Sequence, residues 1–300
     1  MTRALVIGRR RKGRKIGPAV RETQRLLEQA GWEVEAALVA RKRALRHKAA
    51  AAAKDGADIV VAVGGDGAVF QVVNALAETE VGVGIIPKGT GNLLATNLGI
   101  PRRLEKAVEV LLTGELRTID LGRVSIEGAD RDFAVACGIG FDAQVMDSTD
   151  AAQKLRWGKL AYLASALRAG RKLHDVKYEI TIDGVKTKTP AAQVFVANFG
   201  RIGSVVEPRR RVVPDDGVLD VIVARASGPL EGLRAGWEAL IQRRLGHAGN
   251  GRVFRTHARE VTVEAHPRQL VEADGSVIGR TPVTVTVRPG SLRVMAPPTS

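Results

Sequence analysis

Residues 4–114 alternate short β-branched apolar runs with helical patterns, and no other feature narrows the choice of fold as much. "ALVIG" (4–8), "EVEAALV" (33–39), "DIVVAV" (58–63) and "VGVGIIP" (81–87) read as strands. "AVRETQRLLEQAG" (19–31), "RALRHKAAAAAKDG" (43–56), "VFQVVNALAE" (69–78), "GNLLATNLG" (91–99) and "LEKAVEVLLTG" (104–114) carry helical spacing, and Gly31 and Gly56 mark helix ends. A chain that alternates in this way covers a parallel sheet with helices. The spacing therefore predicts a doubly wound α/β domain over residues 1–116.

The pattern changes after about Leu116. "RTIDLGRVSIE", "RDFAVACGIG", "VKYEITIDG", "AAQVFVANFG", "VLDVIVA", "EVTVEAH" and "TPVTVTVRPGSLRVMA" read as strands, with clean period-two alternation in "TVTV" (284–287). Two helical stretches, near 155–170 and 229–245, interrupt them. The expectation for residues 117–300 is a β-rich, sandwich-like domain whose final strands are able to pack back on the first. No long linker separates the halves, so the active site is expected in the cleft between them.

Two glycine turns sit where strands of the first half hand over to helices. The first is Gly64-Gly65-Asp66-Gly67-Ala68, after "DIVVAV". In open α/β sheets ligands bind beyond the carboxyl ends of strands. Glycines there allow close backbone approach, and the following helix offers free N–H groups to phosphate. Asp66 repels a bare phosphate, so it has two readings: a helix cap in a tight turn, or a ligand to Mg²⁺ lying between carboxylate and phosphate. The second turn is Gly89-Thr90-Gly91-Asn92, after Pro87 and Lys88. Neither turn matches G-x-x-x-x-G-K-[ST] or G-x-G-x-x-G.

The pair "GGDGA…PKGTGNLLATNLGIP" resembles the catalytic domain of the diacylglycerol kinase and sphingosine kinase superfamily, especially the bacterial soluble lipid kinases. "IDLGRV" (119–124), "GIGFDAQV" (138–145), "KLRWGKLAYLASAL" (154–167), "VVPDDGVLDVIVA" (212–224) and "EADGSVIGRTPVTVTVRPGSLRVMAP" (272–297) are similar to later blocks of that family, in the same order. The resemblance implies ATP bound in the cleft and a lipid alcohol, diacylglycerol above all, as acceptor. It carries ATP binding onto Gly64, Gly65, Asp66, Gly67, Gly89, Thr90, Gly91 and Asn92. Ala68 stands where the family has a small hydroxyl residue. The family's Asn-Pro-x-x-Gly turn is replaced by "GRRRKGRKIG" (8–17), in which Gly13 keeps a glycine for the phosphate approach.

For the chemistry, the resemblance maps the family's D-G-E block onto Asp274-Gly275-Ser276. Asp274 becomes the base for the acceptor hydroxyl. Ser276 replaces the family's glutamate, and Glu272, two residues before Asp274, offers a partial substitute. Asp120 falls on another carboxylate of the same network. A Mg²⁺ site is implied at Asp216 with the backbone oxygens of Val213 and Val218, against a plain Asp-Gly turn as the other reading.

The net charge of +14 points to anionic partners. Basic clusters at 9–15, 41–48, 209–211 and 252–259 suit an anionic membrane surface, where each Lys or Arg contributes about 1 kcal/mol. Nucleic acid is not expected: no reading module is recognisable, and aromatics make up only 4% of residues, too few for base stacking. The five histidines show no metal-ligand spacing. Cys137 is the only cysteine, which rules out an internal disulfide and fits a reducing compartment. No run of 18 apolar residues occurs, and the apolar run at the N-terminus is too short for a signal peptide. The expectation is a cytoplasmic protein, peripherally bound at the inner face of the plasma membrane, with a homodimer left open. The rival readings are an NAD kinase-like enzyme, which also carries a GGDG loop, and a nucleotide- or lipid-binding relic of the family.

Overall fold

The computed structural model describes residues 1–10, 13, 15–140, 176–191, 193–200, 214–224 and 253–298. The helical stretches expected near 155–170 and 229–245, Val213, and Arg11, Lys12 and Arg14 lie outside the described residues.

Strands β1 (Arg3–Arg9), β2 (Glu33–Val39), β3 (Ile59–Gly64) and β4 (Gly82–Pro87) form the parallel part of one sheet, in the order β2-β1-β3-β4. Every residue of β3 and β4 is buried, as a strand covered on both faces requires. Helix α1 (Ile16–Gln29) buries Ile16, Ala19, Val20, Thr23 and Leu27, one stripe of the 3.6-residue period. Helix α2 (Lys42–Lys54) packs beside α3 (Asp66–Leu76), and α1 beside α5 (Leu104–Thr113). Gly31 and Gly56 hold left-handed φ values of 85° and 83° just past α1 and α2, where they stop the helices. The short helix α4 (Leu93–Asn97) follows the second glycine turn.

The second half is antiparallel. Strand β5 (Glu115–Ile126) pairs along its length with the 14-residue β16 (Val283–Ala296) and turns back into β6 (Ala129–Phe133). The first part of β16 also pairs with β13 (Glu260–His266), which leads to β8 (Lys177–Ile182) and β9 (Val185–Pro190). Its last part pairs parallel to β4, with Val294 opposite Val83. One ten-stranded sheet therefore runs through both halves. A second, six-stranded sheet has the order β12 (Val253–Ala258), β11 (Leu219–Ala224), β10 (Gln193–Ala197), β7 (Ala136–Gly140), β14 (Leu270–Ala273), β15 (Ser276–Arg280). Phe133, Tyr178, Val194, Val261, Val271 and Val285 fill the space between the two sheets.

Two hydrophobic cores result, and their border crosses strands rather than a linker. Ile119 and Leu121 of β5 and Leu292 and Val294 of β16 belong to the first core; Val124, Ile126, Val283 and Val285 belong to the second. Register slips between Arg288 and Leu292, where the border passes. The stretch "RDFAVACGIG" becomes two strands, β6 in one sheet and β7 in the other. The N–H groups of Ala134, Val135 and Ala136 leave the ladder at that crossing and turn to the carboxylate of Asp274. The halves are also tied at α3. Asn74 donates from Nδ2 to the carbonyl of Asp132 at 2.9 Å and accepts the Asp132 N–H at 3.1 Å.

Candidate active site

Strands β3 and β4 end side by side, with Gly64 opposite Pro87, so the two glycine turns meet. A Cβ on Gly65 would lie 2.8 Å from the Cα of Gly89, and one on Gly89 only 2.4 Å from the Cα of Gly65. Close approach of the two backbones thus demands glycine at both positions. The Lys88 N–H donates to the Gly64 carbonyl at 2.7 Å and locks the contact.

Asp66 opens helix α3, yet it does not cap that helix. Its Oδ2 accepts the N–H of Asn92 at 2.9 Å and its Oδ1 the N–H of Leu93 at 2.5 Å. The acid among the glycines therefore anchors the second turn, where α4 starts. Asn92 sits in the left-handed region at φ 53°. It closes its own turn, with Oδ1 accepting the Gly89 N–H at 2.8 Å and Nδ2 donating to the Gly89 carbonyl at 3.0 Å. Arg102 donates to the Thr90 carbonyl at 2.9 Å. Gly64 to Ala68 and Gly89 to Asn92 are one interlocked unit. Gly13 lies apart, exposed on the β1–α1 connection with φ 73°.

Asp274 and Gly275 form the two-residue turn between β14 and β15, with φ values of 47° and 79°. An Asp-Gly pair with two left-handed residues is the sequence such a hairpin favours. The Asp274 side chain accepts the N–H groups of Ala134 at 2.7 Å, Val135 at 2.9 Å and Ala136 at 3.1 Å. Burial raises its pKa from the usual 3.8 to about 7; the three N–H groups act in the lowering direction, and the nearby Asp66 adds to the rise. The hairpin thus brings Asp274 within electrostatic reach of the glycine turns. Ser276 lines the cleft, half-buried, on β15. Glu272 is buried; its Oε2 accepts the Gly275 N–H at 2.8 Å and it lies against Gly138.

The cleft between α2, α3 and the β14–β15 hairpin encloses about 420 Å³. Asp274 and Ser276 face it from one side, Gly67, Phe70 and Gln71 of α3 from another. Lys42, Arg43 and Arg46 of α2 and Arg131 of β6 add cationic groups, and His47 of α2 adds an imidazole. A Cβ on Gly67 would stand 3.6 Å from the Lys42 Nζ, which places that ammonium at the first turn of α3. Burial, then Arg9 and Arg131, hold the Lys42 pKa below the usual lysine value. Sequence reading grouped residues 41–48 as a membrane-docking cluster and gave His47 no role. The signal was the spacing 42, 43, 46, 47, one face of a helix whose partner helix begins at a glycine turn.

Asp120 is 2% exposed and joins three segments. Its Oδ2 accepts the Gly217 N–H at 2.7 Å, its Oδ1 the Gly290 N–H at 2.8 Å, and its own N–H donates to the Pro214 carbonyl. Asn198, fully buried and absent from the sequence-based candidates, donates to the carbonyls of Asp120 at 2.7 Å and Ala134 at 3.2 Å. Asp216 accepts the N–H of Val218 at 3.2 Å within its own turn. Both oxygens of Asp66 and of Asp120 thus serve backbone N–H groups. Among the described residues no group of three His, Cys, Asp or Glu side chains is placed to hold a metal ion. The Mg²⁺ site expected at Asp216 includes Val213, which lies outside the described residues.

Comparison with known proteins gives this geometry its class. Residues 3–124 match the model of the diacylglycerol kinase catalytic domain, and residues 135–296 that of the YegS C-terminal NAD kinase beta sandwich-like domain. Diacylglycerol kinase of Mycobacterium tuberculosis is 32% identical over 261 residues, covering 84% of this chain and 81% of that protein. An uncharacterized protein of Synechocystis is 30% identical over 245 residues, and the chain spans 56% of its length. A crystal structure of a diacylglycerol kinase from Bacillus anthracis str. Sterne has the same fold, with a TM-score of 0.74 over 98% of this chain and 96% of that one at 20% identity. Both halves of the chain are thus matched, the first by the catalytic domain of a kinase. The chain belongs to the diacylglycerol kinase catalytic domain family.

Proposed function

We propose that the protein is a lipid kinase that transfers the γ-phosphoryl group of ATP, carried as its Mg²⁺ complex, to a lipid hydroxyl, with diacylglycerol as the acceptor that fits the family best. The observation that carries this reading is the position of Asp274: a carboxyl group with its pKa pushed up to about 7, at the cleft wall and within electrostatic reach of the glycine turns. A general base is most effective when its pKa lies near the working pH. Asp274 takes the hydroxyl proton as the acceptor oxygen attacks the γ-phosphorus and the bond to the β-phosphate oxygen breaks. Phosphoryl transfer otherwise depends on positioning and charge neutralisation. The first turn of α3 and Lys42 supply these to the phosphates, and the Gly89–Asn92 turn is held against that site by Asp66. The acceptor stays in a bilayer, so the enzyme works at an anionic membrane surface. No helix among the described residues is long and apolar enough to cross a membrane.

The test is transfer of labelled γ-phosphate to diacylglycerol in anionic mixed micelles with Mg²⁺. Labelled phosphatidic acid is the expected product. Bound Mg-ATP without transfer to any lipid alcohol would refute the kinase reading. It would favour a binding relic, a reading to which Ser276 and Ala68 lend support. Ser276, onto which the resemblance maps the family's glutamate, lines the cleft. Ser276→Glu should raise kcat about tenfold or more, part of the roughly 100- to 10,000-fold that a positioned acid or base contributes. An unchanged kcat would show that the missing carboxylate does not limit turnover.

A further inference from the structure

Some cations elsewhere on this molecule find carboxylates: Arg25 with Glu22 at 2.6 Å, Lys48 with Glu35 at 2.7 Å, Lys106 with Glu109 at 2.6 Å and Arg293 with Glu80 at 2.7 Å. The cleft gathers several basic residues that do not. Lys42, Arg43, Arg46, His47 and Arg131 have no carboxylate partner among the described residues. The acids that line the same cleft are already engaged, Asp132 by Arg123 at 2.8 Å and Asp274 by three backbone N–H groups. Positive charge is concentrated there without internal compensation, an arrangement that an anionic ligand relieves.

One anion does not account for all of it. Lys42 lies at the first turn of α3, and Arg9 and Arg131 are within its electrostatic reach. These groups surround the place of the donor phosphates. Arg46 and His47 stand one turn further along α2, about 6 Å from Lys42 at a rise of about 1.5 Å per residue. Arg43 shares their face, because positions i, i+3 and i+4 of a helix are neighbours. The opposite wall of the cleft runs from Gly67 to Asn74 on α3, about 10 Å. There is room for a second phosphate beside the first.

We infer that Arg43, Arg46 and His47 form a second phosphate subsite, which holds a phosphate group other than the one transferred. Guanidinium forks suit such a group because they match phosphate oxygens in pairs. The inference rests on the phosphotransfer reading for its first anion. The phosphate comes either from the headgroup of the acceptor or from a free phosphate ion, and the chemistry of recognition is the same for both.

Pyrophosphate titrated calorimetrically into protein saturated with the non-hydrolysable ATP analogue AMP-PNP tests it, at fixed Mg²⁺. The wild type is expected to bind one pyrophosphate per chain. The double variant Arg43→Gln/Arg46→Gln should bind it at least tenfold more weakly while AMP-PNP affinity changes less than threefold. No pyrophosphate uptake by the loaded protein overturns the subsite. So does a parallel tenfold loss of AMP-PNP affinity, which would give these arginines to the donor's own phosphates. If AMP-PNP does not bind at all, the donor reading fails on its own, and the same tenfold loss is then required of the nucleotide-free protein. Displacement separates the two sources. Glycerol 3-phosphate displacing pyrophosphate more strongly than inorganic phosphate does assigns the subsite to a lipid headgroup, and equal displacement assigns it to free phosphate.

Discussion

Asp274→Asn is expected to abolish phosphoryl transfer, lowering kcat about 100- to 10,000-fold, the usual contribution of a positioned general base. Nucleotide affinity should stay within about threefold, because the glycine turns proposed to hold phosphate are built without this side chain. Normal turnover in the variant would remove Asp274 from the chemistry. The pH dependence adds a second check. Wild-type kcat/KM should rise with pH and level off above about 7, where the buried carboxyl becomes ionised. Stability should move in the other direction. The unfolded chain loses this proton near pH 3.8 and the folded protein only near 7, so raising the pH between these values favours the unfolded state. Asp274 thus contributes stability that is fully present below about pH 3.8 and gone above about 7, of the order of 4 kcal/mol at about 1.4 kcal/mol per pKa unit. Thermal melts of wild type and Asp274→Asn across that range should differ by this slope. Parallel melting curves would show that the folded protein does not retain the proton.

Asp66→Asn should weaken nucleotide binding about 10- to 100-fold. That is the equivalent of about 1.5–3 kcal/mol, the contribution of hydrogen bonds to a charged group. The amide turns an NH₂ toward one of the two N–H groups, of Asn92 or Leu93, that the carboxylate now receives. The second turn then loses its anchor, and with it the packing of Gly89 on Gly65. Because this role is architectural, the loss should be the same with Mg²⁺ and with EDTA. Calorimetry with ADP distinguishes the alternatives. A loss confined to the Mg²⁺ titration would make Asp66 a metal ligand, and equal losses would make it the brace between the two turns.

Much of this was legible in the sequence. Strands β1 to β4 and helices α1, α2 and α5 lie within a few residues of their expected places, because buried parallel strands and amphipathic helices write their periods directly into the chain. The glycine turns were legible as turns, since a close backbone contact requires glycine. What Asp66 does was not: its partners are 26 and 27 residues away, and no local pattern encodes that distance. The split of "RDFAVACGIG" was hidden for the same reason, because the carboxylate that draws off its N–H groups is about 140 residues further on. The cleft cations of α2 were visible as charge but not as a site, since only the packing of α2 on α3 gives that face a ligand to meet.

Strand β16 sets a timetable for the chain during synthesis. Its Val294 completes the ladder on β4, which is made far earlier around Val83. Until residue 294 leaves the ribosome, the parallel sheet of the first half keeps an open edge at β4, the kind of edge that recruits stray strands. The first half is therefore an apprentice structure that waits for its last partner, and the nascent chain is most exposed to misassembly while the second half is still being made.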